Sequence, residues 1–224
     1  MFGLLKGRYE VSHDMQDWIE ESFDWAEENG ILTPLTRLAL PTKDYFPAPQ
    51  GTPDQVVEGL VANLKPMLGV EDLDVALAPL EVLPDELRHE YGMTSDVAGT
   101  WQGNQNGGLI RYDPTLIRKP MALISMLAHE LMHQRMARTP RDWPGGEPVE
   151  ELATDLYVIA AGLGVIQVAG ADQAGWQGYM RQPTRAHALA VFLQRQSIPL
   201  KDPISYLPPR AGKQLKRALD EVTD

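Results

Sequence analysis

An apolar stretch over residues 120–138 contains two histidines and a glutamate. Pro120 at its start and Thr139-Pro140 after its end predict one helix over the stretch. Apolar residues occupy most of its faces, so we expect the helix to be buried. His129 and His133 are four residues apart and therefore share one face of it. Because buried imidazoles need polar partners, the fold must provide them at this face.

His129, Glu130 and His133 have the spacing His-Glu-x-x-His. Two imidazoles one helical turn apart can bind one tetrahedral Zn²⁺, and the glutamate between them can take a proton from a water molecule. A catalytic zinc needs a third protein ligand. The chain has no cysteine, which excludes a thiolate ligand, a disulfide and a cysteine nucleophile. The remaining candidates for the third ligand are His13, His89, His187 and a carboxylate.

The next predicted helix starts near Pro148 and offers several carboxylates. Glu151 and Asp155 are four residues apart, so one can bind the metal while the other accepts a hydrogen bond from a ligand imidazole. The helix dipole alone would favour Glu150 and Glu151 in a first turn. Asp155, however, lies inside an otherwise apolar helix and needs a polar partner. One turn back from Asp155 is Glu151, whereas Glu150 points about 100° away from Glu151.

The sequence HELMH at 129–133, followed by ELATD at 151–155, resembles the gluzincin class of zinc metallopeptidases. The signature of that class is HExxH, then a glutamate ligand with an aspartate four residues further on. The resemblance covers residues 108–165 approximately and does not extend to the rest of the chain. The strand GGLIRYDP before the HExxH helix is similar to the sheet edge along which such peptidases bind an extended substrate.

The resemblance implies a zincin-like fold and a peptidase that acts on a peptide or protein substrate. It implies one Zn²⁺ per chain, with the ligands His129, His133 and Glu151. Glu130 would act as the general base, and Asp155 would orient one of the histidines. Candidates for the residue that polarises the scissile carbonyl are His187, Tyr179 and Tyr157.

The remaining periodicities predict helices around a small sheet, which is an α+β fold with a helical C-terminal part. Helices are predicted over 14–29, 53–68, 184–196 and 209–222, and a strand over 73–80. A hairpin is predicted from 97–102 and 109–112, joined by the glycine- and asparagine-rich residues 103–108. No linker divides the chain. We therefore expect residues 1–224 to form a single domain with its metallopeptidase core at 95–200.

The composition excludes several classes of partner. The formal net charge is −11 and no basic stripe is present, so a nucleic-acid partner is not expected. The longest apolar segment, LYVIAAGLGVIQVAG, is shorter than a membrane span, and the N-terminus lacks the apolar run of a signal peptide. These features predict a cytoplasmic protein with no membrane partner.

Two other functions fit parts of the sequence. Di-iron carboxylate bundles use paired Glu-x-x-His motifs, and the chain has one at 86–89 and one at 130–133. The first of these lies in a segment too short for a bundle helix, and that assignment leaves His129 unused. Alternatively, the zinc site could belong to a binding or regulatory module without peptidase activity. A purely structural site does not require a general base, so Glu130 favours catalysis.

Overall fold

The computed structural model describes residues 10–47, 50–80, 99–104, 107–175 and 178–223. Two short 3₁₀ turns, Pro114–Arg118 and Glu147–Val149, precede helices of the central region. The architecture is α+β, as the sequence predicts. The helices described are α1 (His13–Glu28), α2 (Pro53–Leu68), α3 (Pro120–Met136), α4 (Glu150–Val158), α5 (Gly164–Gln173), α6 (Gln182–Arg195), α7 (Lys201–Ile204) and α8 (Pro209–Thr223), and the strands are β1 (Asp74–Pro79), β2 (Gly99–Asn104) and β3 (Gly107–Tyr112).

Local sequence signals explain where the helices begin and end. At the start of α2, the Thr52 side chain accepts a hydrogen bond from the Gln55 amide, while the Gln55 side chain accepts one from the Thr52 amide. Pro53 occupies the first helical position, and Gly69 closes the helix in the left-handed region with φ of 65°. The predicted helices over 14–29, 53–68, 120–138, 184–196 and 209–222 are confirmed to within two residues.

The sheet has the strand order β1-β3-β2. β1 pairs with β3 in parallel and β2 pairs with β3 in antiparallel orientation, so that Ile110 of β3 lies opposite Leu77 on one side and Trp101 on the other. β3 is therefore the central strand, and the expectation that the strand before the HExxH helix forms a sheet edge is wrong. Because its backbone is paired on both sides, β3 has no free hydrogen-bonding edge for a substrate.

The hairpin is tighter than predicted. Gly103 pairs with Gly108 and Asn104 pairs with Gly107, so four residues assigned to the loop belong to the strands. A Cβ atom on Gly107 would lie 2.2 Å from the Asp74 carbonyl oxygen of β1. Glycine at this position therefore serves the close approach of two strands rather than a turn.

α3 lies at the centre of the apolar core and contacts α2, α4, α5, β2 and β3. Leu127, Leu131 and Met132 of α3 are fully buried. The same cluster of buried side chains includes Phe23 of α1 and Leu64 of α2. The N-terminal helices α1 and α2 are thus part of the same apolar core as α3.

The helix that begins with α4 bends at Gly162 and continues as α5. A π-helical turn, Ile159–Leu163, joins α4 to α5, and Gly162 within it has φ of 93°. A Cβ atom on Gly162 would lie 2.1 Å from the Arg37 carbonyl oxygen, and the Gly162 carbonyl accepts a hydrogen bond from the Ala39 amide at 2.9 Å. Only glycine allows both this conformation and this approach.

By length and composition, the run Glu147–Gln173 could cross a membrane. Its most apolar 18-residue window is, however, 94% buried inside the protein. The apolar character of the run is thus accounted for by its place in the core, where α4 and α5 pack against α3.

Candidate metal centre

The connection between α3 and α4 is fastened to α1, and this fixes how the two helices face each other. The Trp25 indole donates a hydrogen bond to the Asp142 carboxylate at 2.8 Å, and the Trp18 indole donates one to the Pro144 carbonyl at 2.9 Å. Trp143, the residue between Asp142 and Pro144 in the chain, is buried and donates a hydrogen bond to the Gly146 carbonyl at 3.0 Å. The first turn of α4 is therefore held beside the histidine-bearing face of α3.

Three side chains meet between α3 and α4. The Nε2 atoms of His129 and His133 are 3.1 Å apart, and the Glu151 Oε2 atom lies 3.0 Å from the first and 3.4 Å from the second. In a tetrahedral zinc site, with ligand distances of about 2.0–2.1 Å, adjacent ligand atoms lie about 3.3 Å apart. The three atoms form a triangle of nearly that size, so two imidazoles and a carboxylate fit a Zn²⁺ ion.

Glu150 takes a different position from Glu151. Its nearest carboxylate oxygen lies 3.7 Å from the Nδ1 atom of His133, on the opposite side of the ring from Nε2. Glu151, one turn before Asp155, is the glutamate that completes the triangle. This is the arrangement expected from counting one helical turn back from Asp155.

Each imidazole has a polar partner at its Nδ1 atom. His129 lies 2.9 Å from the Asp155 Oδ1 atom. His133 lies 3.4 Å from the Thr154 hydroxyl, which itself donates to the Glu150 carbonyl at 2.8 Å and so can accept from the His133 Nδ1–H. With the protons on Nδ1, both Nε2 atoms are free to bind a cation.

The electrostatics of the cluster favour a positive charge at its centre. Burial lowers the pKa of His129, but hydrogen bonds with Asp155 and Glu151 outweigh this effect and raise that pKa to about 10. Burial and the neighbouring His129 lower the pKa of His133. The hydrogen bond with His129 lowers the pKa of Glu151. Without a metal, a proton on His129 supplies the charge that the carboxylates require, and a cation can replace that proton.

Glu130 lies on the same helix turn as the two histidines and is almost fully buried, with 7% of its surface exposed. Burial raises the pKa of Glu130 to about 7, against the opposing effect of His129. A carboxylate with a pKa near neutrality is suited to both accepting and releasing a proton.

The three candidates for polarising the scissile carbonyl lie in different parts of the structure. Tyr179 stacks on the His129 ring, with centroids 5.7 Å apart and planes 17° apart. Tyr157 instead packs against Trp25, and His187 faces Glu221 of α8 at 3.7 Å. Of the three candidates for polarising the carbonyl, Tyr179 is thus the one beside the cluster.

Two other histidines were candidates for the third metal ligand. His13 lies in the first turn of α1, and His89 and the motif at 86–89 lie outside the described residues.

Two residues at the site were not anticipated from the sequence. Thr154 supports His133, and Arg185 donates a hydrogen bond to the Asp155 Oδ2 atom at 2.9 Å. Thr154 is a polar residue within a largely apolar helix, and this could have marked it as a partner for one of the histidines. Arg185 lies 30 positions after Asp155, and no local pattern connects them.

Comparisons with known proteins do not assign the chain to a family. No family model matches it, and no solved structure matches it. An alignment over 136 positions, which covers 55% of this chain, is 28% identical to protein sevenless of Drosophila melanogaster. The chain spans 5% of the length of sevenless, so the similarity is confined to a small part of that protein.

Proposed function

We propose that this protein is a zinc-dependent metallopeptidase with a zincin-like arrangement of its metal-binding helices. The observation that supports this most directly is the triangle of His129, His133 and Glu151, with sides of 3.0–3.4 Å. Two features favour a catalytic site over a structural one. Glu130 adds a carboxylate that the triangle does not use, and the three ligands leave a fourth tetrahedral position to water.

The proposed roles follow from the positions of the side chains. His129, His133 and Glu151 would hold one zinc ion, which supplies a Lewis acid and lowers the pKa of water. Glu130 takes a proton from the attacking water and passes it to the leaving amine of a peptide bond. Asp155 and Thr154 keep the two imidazoles in the required orientation.

Metal content and hydrolysis together test this proposal. The purified protein is expected to contain one zinc per chain and to cleave casein or a fluorogenic peptide, with activity lost on chelation and restored by zinc. Glu130→Gln should retain zinc but lose hydrolysis, because the amide cannot accept the proton. Glu147→Gln, which changes an exposed glutamate, is the matched control and should behave as wild type.

Other results would support the alternative functions. Zinc binding without hydrolysis of any tested peptide, in wild type as well as in Glu130→Gln, would indicate a binding module. Two irons per chain would indicate a di-iron protein. Loss of zinc from Glu130→Gln would contradict the assignment of Glu130 as a base.

A further inference from the structure

The segment between α5 and α6 is attached directly to the candidate metal centre. We call residues 178–181 the tyrosine segment. The Met180 amide donates a hydrogen bond to the Asp155 Oδ2 atom at 3.3 Å. The Arg185 guanidinium donates both to the same Oδ2 atom, at 2.9 Å, and to the Met180 carbonyl. Asp155 therefore supports His129 with one oxygen and the tyrosine segment with the other.

The backbone of the tyrosine segment is shaped to fit the guanidinium of Arg185. Gly178 has φ of 110°, a conformation that side chains disfavour. A Cβ atom on Gly178 would also lie 2.3 Å from an Arg185 nitrogen. A larger residue would therefore strain the backbone and separate the segment from the guanidinium of Arg185.

Burial differs sharply across this attachment. The side chains of Arg185 and Asp155 are 3% and 6% exposed, whereas Tyr179 is 62% exposed although it stacks on His129. A buried ion pair depends on its surrounding hydrogen bonds, and here Met180 supplies one to each partner, from its amide to Asp155 and at its carbonyl from Arg185. The exposed aromatic ring is thus presented to solvent directly beside the metal ligands.

We propose that Arg185 is a positioning residue that holds the tyrosine segment against Asp155, so that Tyr179 forms a wall of the substrate site over His129. The substrate part of this inference rests on the proposed peptidase function. The attachment itself does not, because it concerns contacts within the chain. Arg185 acts through Asp155 and Met180 and does not touch the substrate.

Arg185→Lys tests the attachment. Lysine keeps a positive charge beside Asp155, but its compact ammonium cannot reproduce the fork of the guanidinium that reaches both partners. We expect faster hydrogen exchange at the Met180 amide and a zinc affinity about tenfold lower, the range typical of outer partners of metal ligands.

Arg195→Lys is the matched control, since Arg195 pairs with Glu20, Asp24 and Glu27 at the far end of α6. It should change neither quantity.

Gly178→Ala is a second variant, in which both Asp155 and Arg185 of the buried ion pair are kept. It should speed exchange at Met180 in the same way, because the added methyl group displaces the segment. Unchanged exchange at Met180 in folded Arg185→Lys and Gly178→Ala would overturn the inference. This outcome can be read even if the wild type hydrolyses no peptide, which would be a failure of the proposed function alone.

Where wild type is active, a double-mutant cycle measured at saturating zinc identifies the route by which Arg185 acts on Tyr179. Tyr179→Ala and Arg185→Lys are each expected to lower kcat/KM about tenfold or more, and the double variant should lose no more than the larger single loss. A residue with a merely structural role would give losses that multiply. Multiplicative losses would therefore overturn the link between Arg185 and Tyr179.

Discussion

The Nε2 atoms of His129 and His133 lie 3.1 Å apart. Two imidazole nitrogens at this distance cannot both carry a proton, and the nearby Glu151 oxygen draws the proton to His129. Because the pKa of His129 is raised, this imidazole is expected to be positively charged at neutral pH in the metal-free protein. A metal ion bound at the two Nε2 atoms would have to displace that proton.

Zinc affinity should rise with pH. His129 has a pKa of about 10 in the metal-free protein, so below that pH a proton must leave when zinc binds. The pKa of His133 is lowered, so His133 is already neutral there. We expect affinity to increase about tenfold per unit between about pH 8 and 9, with release of about one proton. Calorimetry in buffers of different ionisation enthalpy measures the number of protons released when zinc binds. A pH-independent affinity would show that His129 is neutral.

The two neighbouring glutamates should differ strongly in their effect on zinc. Glu151→Ala removes a proposed ligand and is expected to weaken zinc binding by more than about 100-fold, beyond the range of outer partners. Glu150→Ala is the matched control one residue away and should have a small effect, since its carboxylate lies on the far side of His133. Competition with a chromogenic chelator measures both. If Glu150→Ala lost the metal while Glu151→Ala kept it, the assignment of the third ligand would be wrong.

Asp155→Asn should affect both zinc and folding. Zinc affinity is expected to fall about 10- to 100-fold because His129 loses a carboxylate partner. The free energy of unfolding should fall by about 3–5 kcal/mol, because Arg185 is left buried without its counter-charge. Asp72→Asn breaks the exposed pair with Arg138 and should change unfolding little. Denaturant titration of the zinc-free variants Asp155→Asn and Asp72→Asn compares their free energies of unfolding. Equal unfolding midpoints would contradict the role given to Arg185 and Asp155.

Gly162→Ala should destabilise the protein by about 2 kcal/mol or more, because alanine disfavours a φ of 93° and its Cβ would meet the Arg37 carbonyl at 2.1 Å. Gly59, inside α2, has open space around its Cβ position, so Gly59→Ala should instead stabilise by about 0.5–1 kcal/mol. Thermal unfolding of both variants shows whether each is less or more stable than wild type. A stable Gly162→Ala would show that the bend between α4 and α5 tolerates a side chain.

Much of the arrangement around α3 and α4 was predictable because its signals are local. His129 and His133 share a face through the helical repeat, and Asp155 stands out as a charge in an apolar helix. The ends of α2 follow from its capping residues and Gly69. Periodicity within a segment is sufficient for these features, since no distant part of the chain decides them.

The features that were missed depend on contacts between distant segments. Strand order was one, because nothing within β3 reveals that β1 pairs with its second edge. Gly107 has the residue type of a loop, and only the close approach of β1 accounts for a glycine at this strand position. Arg185 likewise acquires its role only when α6 packs beside α4. Tyr179 could be named as a candidate but not distinguished from Tyr157, whose side chain is buried against Trp25.

The ligands of the candidate metal centre are close in sequence as well as in space. Glu151 is 22 positions from His129, whereas the contact that fastens the intervening loop, from Trp25 to Asp142, spans 117 positions. Closing a short loop is entropically easier than closing a long one, and short-range contacts form earlier in folding. Zinc present during refolding is therefore expected to join α3 to α4 before α1 docks, and so to accelerate folding in a stopped-flow experiment. On this basis the metal would act on the order of assembly as well as on the finished site.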